Sequence, residues 1–139
     1  MTGARAMIER LARAFEANDW PAVQDLWHPQ AELMSPSGTW SVEQMSEIMT
    51  DLKALYDDVR IEVTNVFSST DGTQIALEWT YSSTRRSDGA RSSTPDAIIV
   101  SLDGGLIRSW REYFDLSTSV EFGETPPAAA YRTGQGHAR

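Results

Sequence analysis

The sequence predicts an α+β domain: three N-terminal helices wrapped around a curved antiparallel sheet, with a pocket enclosed between them. Three observations point to it. Apolar residues recur at helical spacing up to Leu55. From Val59 the period switches to alternation. Two turn motifs, "TDGT" and "DGG", then join strand-like runs as hairpins. Helices followed by strands, rather than alternating with them, give an α+β layer arrangement. Helices covering only the concave face of such a sheet leave a hollow.

The elements follow in order. "ARAMIERLARAFEAND" places Met7, Ile8, Leu11, Ala14 and Phe15 on one helical stripe, with Arg and Glu opposite. Asp19 is an N-cap for a second helix, "WPAVQDLW", with Pro21 in its first turn. Pro29 is expected to stop that helix, and His28 to sit at its C-terminus, favoured by the helix dipole. "AELM" reads as a short strand running into "SPSG". Ser41 and Gln44 form a capping-box pair. The stripe Val42, Met45, Ile48, Met49, Leu52 and Leu55 then makes the third helix.

Four strands follow: "VRIEVTNVFSS", "TQIALEWTYSS", "PDAIIVSL" and "LIRSWREYFD". The polar stretch "TRRSDGARSST" reads as the link between the middle two. After Phe122 all pattern is lost. One domain is therefore expected over residues 1–123, and a mobile tail over 124–139.

Composition narrows the function. The net charge is −8, so the basic footprint that nucleic acid requires is missing. No cysteine is present, which excludes disulfides and thiol chemistry and fits a reducing compartment. No apolar run approaches the roughly 20 residues that span a bilayer. The opening "MTGARAMIER" has no signal-peptide core. A cytoplasmic protein without membrane or nucleic-acid partners is expected. Two distant histidines, His28 and His137, do not make a metal site. No glycine-rich loop runs from strand into helix to hold a phosphate, and no cofactor is expected.

Alternation assigns the faces of the sheet. Ile75, Leu77, Trp79 and Tyr81 point inward on one strand, and Leu106, Arg108, Trp110, Glu112 and Phe114 share a face on the last. A three-residue "DGG" loop would pair Leu102 with Leu106, Ile98 with Trp110 and Asp96 with Glu112. Two carboxylates would then face each other from Cβ atoms roughly 5 Å apart in an apolar lining. Such a pair shares a proton and can serve acid and base roles in turn. Tyr81 would offer a phenol to a carboxylate or a ligand oxygen. Trp79, Trp110 and Phe114 would shape the pocket, and Trp40 would close its mouth. In the competing readings a two-residue turn or a bulge slips the register by one and turns Asp96 away, or Glu112 is a structural ion-pair partner of Arg108 or a solvated rim residue. Asp115 faces the other way and is read as structural. Arg85 and Arg86 are read as no more than a local basic pair.

The order of elements, the start "FEANDWPAVQDLWHPQAELMSP" and the closing "DGGLIRSWREYFDL" resemble the SnoaL-like polyketide cyclases. Those belong to the nuclear transport factor two superfamily, together with ketosteroid isomerases and limonene epoxide hydrolases. The resemblance covers about residues 4–122. It implies a cone-shaped barrel open at one end, often dimeric through its sheet. It places a catalytic carboxylate at Glu112 and a hydrogen-bonding acid at Asp96. The isomerase base falls at Ser35, which cannot act as one and is kept as a substrate contact. The hydrolase arginine and aspartate fall at Trp79 and Tyr81, so that water-activating set is incomplete.

The function expected is a cofactor-independent cyclase or isomerase. It would act by acid–base catalysis on a hydrophobic, oxygenated small molecule, for example by internal opening of an epoxide. Two alternatives stand beside it: a ligand-binding or dimerisation module without catalysis, and an epoxide hydrolase with a rearranged site.

Overall fold

The structure, a computed structural model, describes residues 2–118. The boundary expected at residue 123, the tail over 124–139 and His137 lie outside the described residues.

The first helix, α1 (Thr2–Glu16), buries Ile8, Leu11, Ala12 and Ala14. It ends where Asn18 adopts a left-handed backbone (φ 51°). Asp19 caps α2 (Trp20–Gln24), accepting from the Ala22 N–H at 3.2 Å. This helix is shorter than expected. The chain leaves it at Asp25, and both His28 and Pro29 lie in a strand, β1 (Trp27–Ser35). His28 is therefore no helix cap: its Nδ1 accepts from the Gln30 N–H. β2 (Gly38–Ser41) turns back onto β1, and the Ser41–Gln44 capping box opens α3 (Val42–Leu55).

β3 (Tyr56–Ser68), β4 (Gln74–Arg85), β5 (Arg91–Asp103) and β6 (Leu106–Tyr113) complete a six-stranded sheet in the order β2-β1-β6-β5-β4-β3. The sheet is mixed rather than wholly antiparallel. β1 runs parallel to β6, pairing Leu33 with Trp110 and Met34 with Arg111. Two bulges in β3, between Asp57 and Arg60 and between Val63 and Asn65, bend it around the helices. The open edge of β3 is covered by side chains of α1. Arg13 donates to the Ile61 carbonyl at 2.6 Å, Arg5 to that of Val63 at 3.0 Å, and the Ile61 N–H donates to Glu16 at 2.7 Å. Those bonds satisfy backbone groups that an edge strand otherwise presents to other chains.

The link "TRRSDGARSST" is mostly strand. β4 runs on to Arg85 and β5 begins at Arg91, with Ser83 opposite Ser92 and Tyr81 opposite Thr94. Its Ser, Thr and Arg content imitates a loop, but Ser92, Thr94 and Asp96 continue the buried row of Ile98 and Val100.

Candidate functional site

The β5–β6 hairpin sets the geometry, and its register differs from the one expected. The turn has two residues, Gly104 and Gly105, both left-handed (φ 60° and 81°), as a tight hairpin turn requires. Asp103 thus pairs with Leu106 and Leu102 with Ile107. Arg108 is then an extra residue, so that Ser101 pairs with Ser109, Val100 with Trp110 and Ile98 with Glu112. Each irregularity slips the register by one residue. The two slips together restore the parity of the faces, so Trp110 and Glu112 still point inward. Asp96 shares that face but is not opposite Glu112. The bulge also turns Ile107 into the core, whereas alternation alone had set it on the outer face.

Asp96 faces Trp79 across the β4–β5 ladder, and the Trp79 indole N–H donates to its Oδ2 at 2.9 Å. Asp96 is 5% exposed, with Oδ1 closed off from water. The Trp110 indole N–H donates to Oε1 of Glu112 at 2.9 Å. The two indoles touch, with centroids 5.6 Å apart and planes at 51°. Phe15 extends this aromatic row edge-on to Trp79 at 6.3 Å, and Trp27 packs on Trp110 at 5.5 Å.

These groups border a cavity of about 330 Å³ between the sheet and the helices. Every residue expected at the site lines it: Glu112, Asp96, Tyr81, Trp79, Trp110, Phe114, Ser35 and Trp40. Phe15, Met45, Ile48 and Met49 close the helical side. The ion pair considered between Glu112 and Arg108 does not form. Arg108 donates instead to the Gln30 carbonyl at 2.6 Å. Asp115 is structural, as expected: it caps the turn Leu116–Thr118 by accepting from the Ser117 N–H and hydroxyl, and these bonds lower its pKa.

The sequence reading missed the charged edge of the cavity. Lys53, Asp57, Asp58 and Arg86 all line it. Arg85 and Arg86 do not act as one basic pair. Arg85 binds Asp88 at 2.7 Å, while Arg86 reaches Asp57 at 3.1 Å and the Lys53 carbonyl at 3.3 Å. Lys53, Asp57 and Asp58 lie where α3 runs directly into β3, but Arg86 reaches them from the β4–β5 turn only in the fold. Thr94, buried and lining the cavity, was also missed. Its signal was present in the alternation of Ser92, Thr94 and Asp96. Among the described residues no group of three or more His, Cys, Asp and Glu is placed to hold a metal ion, and no helix is long and apolar enough to cross a membrane.

The helices and the six-stranded curved sheet enclose a cavity with inward-facing acids in an α+β fold. The chain belongs to the SnoaL-like domain family, whose model matches residues 8–110. No curated protein matches it by sequence. Solved structures share its fold. One is a protein with a ketosteroid isomerase-like fold from Catenulispora acidiphila, in complex with trimethylamine (TM-score 0.73, 20% identity, covering 88% of this chain and 94% of that one). Another, from Pseudomonas putida, is provisionally described as a polyketide cyclase (0.72, 19%, 81% and 91%). A third is an LEH-like epoxide hydrolase of M. tuberculosis (0.71, 15%, 84% and 86%). At such identities the likeness establishes the fold alone.

Proposed function

We propose that the protein is a cofactor-independent cyclase or isomerase that closes a ring in a hydrophobic, oxygenated metabolite by proton transfer. One observation carries this reading. Glu112 projects into an aromatic-walled cavity with one oxygen held by Trp110, and it has no salt-bridge partner among the described residues. A carboxylate oriented in this way keeps its second oxygen for the substrate.

For an epoxide with an internal hydroxyl, Glu112 takes the hydroxyl proton as the oxygen attacks an epoxide carbon. The epoxide C–O bond breaks, and the released oxygen, held by Tyr81, receives a proton from Asp96. Return of the proton from Glu112 to Asp96 restores the starting state. Trp79, Trp110 and Phe114 fold the chain so that its ends meet, which supplies much of the acceleration. Ser35 and Trp40 complete the substrate contacts from β1 and β2.

Hydrolysis is less well supported, because Trp79 and Tyr81 stand where the hydrolases carry their water-activating arginine and aspartate. Turnover of hydroxy-epoxides in ¹⁸O-labelled water tests the choice. Cyclisation gives an isomer of the substrate without label; a labelled diol identifies a hydrolase. No turnover in either sense across substrates that bind leaves the protein a binding module.

The outer face of the sheet is the surface we propose for self-association. Phe67, Ala76, Ile99, Arg111 and Met34 form one row across five strands, with Phe67 61% and Tyr113 50% exposed. Sedimentation of wild type against Phe67→Asp tests it. A dimer that the substitution dissociates is expected, and a wild-type monomer at micromolar concentration removes the proposal.

A further inference from the structure

We infer that the ligand of this cavity carries a positive charge: a protonated or quaternary amine on an apolar body. This deepens the proposed function by naming a substrate class, and it rests on that reading for the choice of cavity.

The charges around the cavity are unevenly answered. At its edge, Asp57 meets Arg86 at 3.1 Å, and Asp58 meets Arg60 at 3.0 Å and Arg91 at 3.2 Å. Glu16 meets Arg13 at 3.1 Å. Glu112 meets no cation among the described residues. Arg108, the bulge residue of β6, is committed to the Gln30 carbonyl, and Arg111 lies on the outer face. An interior carboxylate with its own arginine would be neutralised before any ligand arrived. Here the fold leaves that partnership to be made by a ligand.

The walls fit the same ligand. Both indole N–H groups are spent on carboxylates and both indoles are at most 3% exposed, with Trp110 in contact with Trp27 and Trp79, so the ring surface facing the cavity comes mainly from the half-buried Phe15, Tyr81 and Phe114. Phenyl and phenol rings attract a cation over their faces, most strongly where water is excluded. Aromatic surface beside a carboxylate attracts an alkylammonium through both terms at once. A ligand carboxylate or phosphate would meet repulsion from Glu112 and from ring faces of negative potential. The net charge of −8 adds a field that gathers cations and disfavours anions. Lys53 is the exception, and it lies at the exposed edge.

Binding of benzyltrimethylammonium, compared with its uncharged carbon isostere neopentylbenzene, tests the inference without any turnover. The indole N–H resonances of Trp79 and Trp110 report occupancy of this cavity. The cation is expected to bind about tenfold or more tightly than the isostere, the scale of a desolvated cation–π contact joined to an ion pair. Glu112→Gln, which preserves shape, is expected to remove most of that preference, and the preference should survive about 0.5 M salt, where exposed charges are screened. Equal or tighter binding of the isostere overturns the inference. So does a preference that Glu112→Gln leaves intact, or one that salt abolishes. Loss of the cation preference in Glu112→Gln with full turnover retained would sink the catalytic proposal and leave this one standing. Turnover lost in that variant, with no cation preference in the wild type, would do the reverse.

Discussion

Trp110 and Glu112, two residues apart on one face of β6, are joined by a 2.9 Å hydrogen bond from indole to carboxylate. This accounts for an acidic residue between two aromatics in "WREYF". The indole is both the apolar wall and the donor that orients the acid. Trp79 repeats the arrangement with Asp96, from the neighbouring strand instead of the same one.

Glu112→Gln is expected to separate chemistry from folding. The amide oxygen still accepts from Trp110, so thermal unfolding should change by less than about 1 kcal/mol. Loss of the acid–base group should lower kcat by about a hundredfold to ten-thousandfold. A rate within a few-fold of wild type would remove Glu112 from the catalytic role.

Trp79→Phe removes the indole donor of a carboxyl that is only 5% exposed. Urea denaturation should show a loss of about 1–3 kcal/mol from the hydrogen bond removed from a buried carboxyl, in addition to lost packing. Adding Asp96→Leu should restore part of that loss, because an apolar pair needs no donor. A double variant less stable than the sum of the single ones would show that Asp96 is held by more than this bond.

The register of the hairpin is open to direct measurement. Cross-strand NMR contacts should join Ile98 to Glu112 and Val100 to Trp110. Deleting Arg108 should remove the bulge and turn either Ile107 or the Trp110–Glu112 pair out of the interior, with loss of the folded state or severe destabilisation. Contacts from Asp96 to Glu112 as direct partners would refute this pairing.

Acid should loosen the protein through two turns. Asp71 accepts from Thr73 and Ser69, and Asp88 is paired with Arg85; both pKa values fall from 3.8 to about 2. A folded pKa below the unfolded one means stabilisation that is complete above about pH 4 and lost as pH falls towards about 2. Both groups are solvent-exposed, and salt should weaken the part of the effect that comes from the Asp88–Arg85 pair. The urea midpoint should drop across this interval, and less steeply in an Asp71→Asn, Asp88→Asn variant. An identical drop in that variant would assign the acid sensitivity elsewhere.

The kinds of element, their order and the inward faces of the strands were legible in the sequence, because helical and strand periods are local properties of the chain. Six of the eight residues named for the site, Trp79, Tyr81, Asp96, Trp110, Glu112 and Phe114, line one cavity for the same reason: parity of alternation decides which side chains enter it. Ser35, by contrast, was named from the family resemblance and Trp40 as a residue at the mouth. Pairing of β1 with β6, separated by most of the chain, left no local trace. Nor did the charged edge, where Arg86 from the β4–β5 turn meets the α3–β3 junction. The offset between β5 and β6 depended on a two-glycine turn and on the bulge at Arg108, neither of which alternation encodes. Their two slips cancelled in face but not in position, which left Glu112 pointing inward and separated it from direct opposition to Asp96.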